Sequence, residues 1–162
     1  MNSILDTTTT IAAVTAGAAG GVYLAFSAMV MPVLRTLPAG ESVVAMQRIN
    51  IAAVRLPFMV VFFTSAATAA AVVVADLVTG RAADDGVGRI VGAGLAIAAF
   101  GITVVSNVPL NNSLARLNAG DRDVTEAWHR FDRRWSRSNL LRGATALLGA
   151  TVLAASLARS SG

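Results

Sequence analysis

The residues best suited to chemistry in this sequence are amides and guanidiniums at the ends of apolar stretches. Asn107 and Asn111 lie on either side of Pro109. Their spacing of four residues places them on one face of a helix, together with Phe100. Groups of this kind stabilise developing negative charge most strongly where water is excluded. The segment therefore contributes to a predicted polar pocket or, alternatively, to a structural hydrogen-bond network between helix ends.

A second set of such residues precedes the last apolar stretch. With about 100° per residue, Trp135, Asn139 and Arg142 fall on one helix face, which also carries Trp128 and Phe131. The opposite face is basic and carries Arg130, Arg133, Arg134 and Arg137. This distribution predicts an amphipathic helix with an aromatic inward face.

The amphipathic helix is predicted to begin near residue 123, because Asp123 and Glu126 have the spacing of a capping box. Its basic face is expected to meet anionic headgroups at the membrane interface. The arginines of that face and Trp128 are explained by an interfacial anchor alone. Asn139 and Arg142 are not, because a polar group on the inward side at this depth needs a partner or a ligand.

The elements that position these residues are long apolar helices. The chain has 162 residues, of which 55% are hydrophobic and 14% charged, against about 25% charged in soluble domains. Four stretches reach the roughly 20 residues that a membrane-spanning helix needs: they cover residues 7–34, 56–78, 89–115 and 139–158. We therefore expect an all-α, antiparallel four-helix bundle in the membrane, with residues 1–162 forming one transmembrane domain. Segments 39–55 and 123–138 are predicted to be cytoplasmic interfacial helices.

The composition excludes several kinds of site. The chain has no Cys, which excludes disulfides and thiolate ligands. A single histidine, His129, is too few for an imidazole metal site, so we predict no metal and no cofactor. The sequence pI of 11.3 comes entirely from arginine and is interpreted as membrane topology, with no nucleic-acid partner.

The arginines also predict the orientation. Of the 13 basic residues, ten lie in or beside the first and third connections and three on the other side, and positive charge collects on the cytoplasmic side. The chain is therefore predicted to be a multi-pass protein of a bacterial plasma membrane with both termini outside. Asp76, Asp84 and Asp85, near the second connection, are interpreted as a solvated rim.

Small residues recur along two of the predicted spans. Gly17, Gly21 and Ala25 are four residues apart, and a second stripe consists of Gly94, Ala98 and Gly101. Such stripes let helix backbones approach closely. We interpret both as packing within the bundle, with a homo-oligomer interface as the alternative.

Prolines near the same boundary in three of the four spans predict a polar pocket, because irregular backbone at membrane depth is tolerated where it lines a cavity. The predicted lining residues are Arg48, Asn50, Asn107, Asn111, Asn139 and Arg142. Side chains of at least three of the five residues other than Asn50 should lie within about 8 Å of one another. The alternative is a structural hydrogen-bond network between helix ends.

At these residues the sequence resembles the anthrone-oxygenase-like family of small four-span membrane proteins, whose bacterial members mostly form a domain of unknown function. The resemblance covers nearly the whole chain and rests on four elements. They are Met31-Pro32, Arg48 to Asn50 with Pro57, Asn107-Val-Pro-Leu-Asn111, and Trp128 with Trp135, Asn139 and Arg142. Fungal members oxidise anthrones to anthraquinones, apparently without a metal or a flavin.

The resemblance implies a cofactor-free enzyme that oxidises a lipophilic phenol, anthrone or quinol at the cytoplasmic leaflet. The alternative is a non-catalytic protein that binds a lipid or a quinone, or a structural membrane protein. Arg142 and Arg48 are the candidates for stabilising the substrate anion, and His129 is the candidate base, although it lies about 100° from the inward face. The candidate substrate-binding residues are Asn50, Asn107, Asn111, Asn139, Trp135 and Phe100.

Overall fold

A computed structural model describes residues 3–80 and 86–160, and within these ranges the chain forms helices and no strands. Four helical stretches are long and apolar enough to cross a membrane: Ser3–Leu34, Leu56–Val78, Gly86–Leu114 and Val124–Arg159. Large apolar side chains such as Val105 and Leu56 are exposed along them, as expected for helices in lipid. The predicted all-α membrane bundle is confirmed, and the chain is a multi-pass membrane protein.

The helices are numbered in chain order. They are α1 Ser3–Ala25, α2 Met31–Leu34, α3 Ala39–Ala53, α4 Leu56–Val78, α5 Gly86–Ile102, α6 Val108–Leu114 and α7 Val124–Ser160. The helices predicted over 39–55 and 123–138 are confirmed as α3 and the first part of α7. Since α7 is one helix of 37 residues, about 55 Å long, its amphipathic part continues the axis of the fourth span.

The four long helices form a closed ring. α1 packs against α4 and α7, and α5 packs against the same two helices. Neighbours run antiparallel: along α7, Gly143 meets Tyr23 of α1, and one turn later Leu147 meets Gly20. The antiparallel bundle expected from four consecutive spans is therefore what the helices form.

The bundle core consists mainly of small residues. Alanines such as Ala16, Ala69 and Ala96 are almost completely buried. A Cβ placed on Gly149 would lie 2.8 Å from the carbonyl oxygen of Gly92, so the backbones of α5 and α7 are in close contact at this point. Only glycine permits such an approach.

The two predicted glycine stripes are only partly correct. Gly17 does pack, since a Cβ added to it would lie 3.6 Å from the Cβ of Ala150, but a Cβ added to Gly21, Gly94 or Gly101 would meet no atom of another helix within 4 Å. Gly94 is exposed on the bundle surface, and the buried stripe of α5 runs through Gly92 instead. High alanine and glycine content produces several stripes in one helix, and the packed one depends on the neighbouring helix.

Two of the spans change their helical geometry before a proline. Segments Phe26–Val30 and Thr103–Asn107 are π-helical, and Pro32 and Pro109 follow them closely. In each case the first residue after the segment donates its N–H to the carbonyl five residues back. Proline has no N–H and its ring crowds the preceding turn, which favours a local widening of the helix. Both widened segments face the polar cluster described below.

Asp76 corrects the expectation of a solvated rim. Its side chain is completely buried and forms a bidentate ion pair with Arg89, with the shortest contact 2.7 Å from Nη2 to Oδ1. The pair joins α4 to α5. A carboxylate can be buried here because the guanidinium compensates its charge and hydrogen-bonding capacity. Asp84 and Asp85 lie outside the described residues.

Candidate functional site

The predicted inward face of α7 is confirmed. Trp128, Trp135, Asn139 and Arg142 are all at most 7% exposed. The four arginines of the opposite face, Arg130, Arg133, Arg134 and Arg137, are exposed. In the folded bundle the aromatic side packs against α2, α3 and α6, where Met31, Met46 and Leu114 form an apolar cluster with the tryptophans.

Arg142 lies in the interior of the bundle without an acidic partner among the described residues. Its guanidinium carbon is 4.1 Å from the ring centre of Tyr23 and 5.5 Å from that of Trp135. Nε and Nη2 donate to Oδ1 of Asn139 at 3.1 and 2.8 Å, and Nη1 donates to Oγ1 of Thr103 at 3.3 Å. Three of the five guanidinium N–H groups therefore have acceptors in the described part of the chain.

Asn139 links this guanidinium to the first span. Its Nδ2 donates to the carbonyl oxygen of Tyr23 and to Oγ of Ser27, both at 2.8 Å. Its Oδ1 accepts the two hydrogen bonds from Arg142, so the buried amide is used at both ends. Ser27 lies in the first π-helical segment and Thr103 in the second, and α7 therefore holds both widened segments through adjacent side chains. We call Tyr23, Thr103, Asn139 and Arg142 the arginine cluster.

Asn107 and Asn111 join the third span to α7 beside this cluster. The hydroxyl of Ser138 donates to Oδ1 of Asn107, and Nε1 of Trp135 donates to Oδ1 of Asn111, both at 2.8 Å. Asn107 is completely buried, and its Nδ2 has no partner among the described residues. An amide donor left unpaired at this depth is costly.

Asn50 faces Asn111 across a groove of about 350 Å³ between α3 and α6. Ile51, Val54 and Val108 form its apolar walls. Nδ2 of Asn50 is a second buried amide donor without a partner in the described residues. The groove is within the size range of small-molecule sites.

Beyond Asn50 in its groove and the asparagines beside the arginine cluster, three further predicted site residues lie outside the cluster. Arg48 is exposed and lines a separate groove beside α3. Phe100 stacks on Phe62, with ring centres 4.5 Å apart. His129 is exposed and precedes Arg142 by 13 residues on the same helix, about 20 Å along its axis. These separations arise because the side chains project from other faces or other levels of the helices.

Two residues of the arginine cluster were missed as site residues. Tyr23 is the only tyrosine of the chain, and its ring is buried inside an otherwise apolar span. Thr103 shares a helix face with Asn107 four residues later, but its hydroxyl also donates to the carbonyl of Ala99, as intrahelical threonines do. The signal in the sequence that could have identified Tyr23 was a single tyrosine within an apolar span, at the same depth as the buried amides.

A second ion pair joins the end of the first span to α7. Nε and Nη2 of Arg35 donate to the two carboxylate oxygens of Asp132 at 2.8 and 2.9 Å, and Nη2 also reaches Oγ of Ser136. The hydrogen bonds to Asp132 raise the pKa of the Arg35 guanidinium above its ordinary value, against the effect of desolvation. Because Arg35 is about half exposed, solvent weakens this contact, which serves to hold the end of the first span against α7.

The described residues contain no group of three or more His, Asp or Glu side chains placed to hold a metal ion. The arginine cluster and the asparagines near it contain a buried guanidinium, unpaired amide donors and aromatic rings. This donor set suits a flat molecule with anionic or carbonyl oxygens.

The chain was compared with known protein families, curated proteins and solved structures. The family model described as anthrone oxygenase matches residues 58–152. The chain belongs to the anthrone oxygenase family. No curated protein and no solved structure matches it. The matched segment contains Asn107, Asn111, Asn139 and Arg142, and the family seen in the sequence is confirmed over residues 58–152. Two elements of the resemblance, Met31-Pro32 and Arg48 to Asn50 with Pro57, lie outside the segment, as does Tyr23.

Proposed function

We propose that this protein oxidises a lipophilic phenol, anthrone or quinol, with Arg142 binding the oxygen that becomes negatively charged. The observation that supports the proposal is a guanidinium 7% exposed, with neutral partners only among the described residues. A desolvated cation of this kind interacts with an oxyanion far more strongly than an exposed arginine does.

The proposed reaction is the conversion of an anthrone and O₂ into an anthraquinone and water. A proton leaves the activated CH₂ group, and the resulting enolate carries its charge on oxygen. The electron-rich carbon then reacts with O₂ to give a hydroperoxide, which loses water as the new C=O bond forms. The protein's part is to stabilise the enolate, since the substrate supplies the electrons and O₂ accepts them.

The side chains around Arg142 support defined roles. Asn139 holds the guanidinium from one side through two hydrogen bonds, and Tyr23 covers it from another. The unpaired amide group of Asn107 can donate to a second substrate oxygen. The proposal assigns no base: His129, the candidate in the sequence, lies too far along α7 to reach a substrate bound at Arg142.

A second candidate function is a structural one, and a specific observation favours it. The hydrogen bonds of Asn139 join α7 to the first span, and the hydrogen bond from Arg142 to Thr103 joins α7 to the third span. Polar residues in membrane bundles often serve only this purpose. Between the enzyme and the structural protein stands a third possibility, a non-catalytic protein that binds a lipid or quinone in the groove between α3 and α6.

The experiment compares oxidation of a hydroxylated anthrone by purified protein in detergent with that by Arg142→Met. We expect wild-type protein to form anthraquinone with one O₂ consumed per product, and Arg142→Met to lose about a hundredfold in rate. Arg116→Gln, an exposed arginine in the connection before α7, is the matched control and should retain the rate. Heat-inactivated protein in the same detergent corrects for spontaneous oxidation.

Binding is measured separately, without oxygen, as the shift in melting temperature caused by the anthrone or by a quinol. A shift in wild-type protein without oxidation would identify a binding protein. No shift and no rate above the inactivated sample would contradict the proposal and favour the structural function.

A further inference from the structure

A wide groove lies on the outside of the bundle, where α7 changes from charged to apolar. It has a volume of about 810 Å³ and runs between the π-helical end of the third span and the basic face of α7. Arg133, Arg134 and Arg137 form one wall, and Val105, Pro109 and Leu110 contribute to the other. We call it the basic groove.

The arginines of the basic groove carry charge that the described residues do not compensate. Of the four arginines on this face, Arg130 pairs with Glu126 at 3.3 Å. Arg133, Arg134 and Arg137 form no salt bridge with any residue that the structure describes. Three guanidiniums facing one groove form a strongly positive site, and arginine binds phosphate oxygens with its planar fork of N–H groups.

The opposite wall has a different chemistry. Val105 is 72% exposed, and Pro109 and Leu110 continue the apolar surface along the groove. Ser106 and Ser138 lie between the apolar and basic walls and add hydroxyl groups. A small free anion would use only the arginines, whereas a molecule with a charged head and an apolar tail would use both walls.

We infer that the basic groove is a specific binding site for an anionic phospholipid, with the phosphate on Arg133, Arg134 and Arg137 and an acyl chain along Val105 and Pro109. Charge complementarity selects the headgroup, and the exposed apolar wall at the end of a span selects a lipid over a soluble anion. The volume accommodates a headgroup together with the first part of its chains.

The basic groove is connected to the arginine cluster through helical segments that contribute residues to both. Ser138 lines the basic groove and donates its hydroxyl to Asn107, and Val105 lies in the π-helical segment that also contains Thr103. Lipid bound in the groove therefore rests on the segment that holds Arg142 in place. Lipid binding here does not depend on the proposed oxidation, because it rests on residues outside the arginine cluster.

The test is native mass spectrometry of the detergent-purified protein, titrated with phosphatidylglycerol or phosphatidylcholine of the same acyl chains. The variant is Arg133→Gln with Arg137→Gln, and the matched control is Arg116→Gln with Arg122→Gln, two exposed arginines outside the groove. We expect tighter binding of phosphatidylglycerol by wild type and control, and a loss of about fivefold in affinity for each arginine removed in the groove variant. Phosphatidylcholine binding should fall less, because its choline group offsets the charge of its phosphate.

A third arm distinguishes lipid from soluble anion and from general surface charge. Excess inorganic phosphate should not displace phosphatidylglycerol, and Val105→Asn should weaken its binding without removing a charge. Equal losses in the groove variant and the control would show that only net charge matters and would overturn the inference. Displacement by inorganic phosphate, or no preference for phosphatidylglycerol, would do the same. Melting temperatures of all variants show that each is folded.

Discussion

Asn139 is buried, and both the nitrogen and the oxygen of its side-chain amide form hydrogen bonds. Its Nδ2 holds the first span through Tyr23 and Ser27, and its Oδ1 accepts from Arg142. A buried guanidinium without a carboxylate depends on such neutral acceptors, because a charge whose hydrogen bonds are removed keeps its full desolvation cost. The two residues should therefore respond to substitution in opposite ways.

We predict that Asn139→Ala lowers the free energy of unfolding by roughly 2 to 4 kcal/mol, because it leaves the Arg142 charge buried and uncompensated. Arg142→Met should leave stability nearly unchanged or raise it, since removal of a desolvated charge offsets the loss of the two donors to Oδ1 of Asn139. The double variant should be more stable than Asn139→Ala alone. Thermal unfolding in detergent measures all three.

Asn118→Ala is the control for this series, because Asn118 is exposed in the connection before α7 and should not change the melting temperature. If Arg142→Met is destabilised as much as Asn139→Ala, the guanidinium mainly ties helix ends together. That result would support the structural function.

At the level of helices, the backbones of α5 and α7 are in close contact, and the Leu153 side chain of α7 packs over Gly92. Gly92 and Gly149 approach so closely that a Cβ on either would press on backbone atoms of the other helix. Close contact compensates for the missing hydrophobic drive between helices in lipid. It also aligns α7 with the third span, so that Arg142 reaches Thr103.

We predict that Gly149→Ala destabilises the protein by about 1 to 3 kcal/mol, because the new Cβ would lie 2.8 Å from the Gly92 carbonyl oxygen and would force the helices apart. Gly94→Ala is the matched substitution on the same pair of helices. No atom lies within 4 Å of its Cβ position, and alanine is the better helix former by about 1 kcal/mol. Its melting temperature should stay the same or rise slightly. Equal destabilisation of both variants would contradict this packing.

Across the molecule, the two ends of the bundle differ in chemistry. One end has the tryptophan and methionine cluster, the arginine cluster and the basic groove. The other has the buried Asp76 and Arg89 pair and the small-residue core around Ala12 and Ala69. The asymmetry of arginines between these ends predicts which end faces the cytoplasm.

We predict that both termini face outside, as expected for a cytoplasmic excess of arginine. Ser3→Cys and Ser161→Cys, each in the naturally cysteine-free chain, should react with a membrane-impermeant thiol reagent added outside the cell. Asn118→Cys, in the connection before α7, should react only after the membrane is opened. The reverse pattern of labelling would overturn this orientation.

Hydropathy and helical periodicity were enough to predict the four spans, the helices over α3 and the start of α7, and the inward face with Trp135, Asn139 and Arg142. These features depend on apolar length and on the period of 3.6 residues, which are properties of a single segment. The family was also recognisable, because its elements are short stretches such as Asn107 to Asn111. Within one helix, spacing is enough to say which side chains share a face.

Which faces meet depends on the folded bundle. Folding paired Arg142 with Thr103 and Tyr23, separated Arg48 from them, and buried Asp76, which the sequence had suggested was solvated. The register and distance between helices depend on how all their small and large side chains pack together, as the contact at Gly92 and Gly149 shows. Periodicity within a segment contains no information about that register, and so it identifies the face of a residue but not its partner.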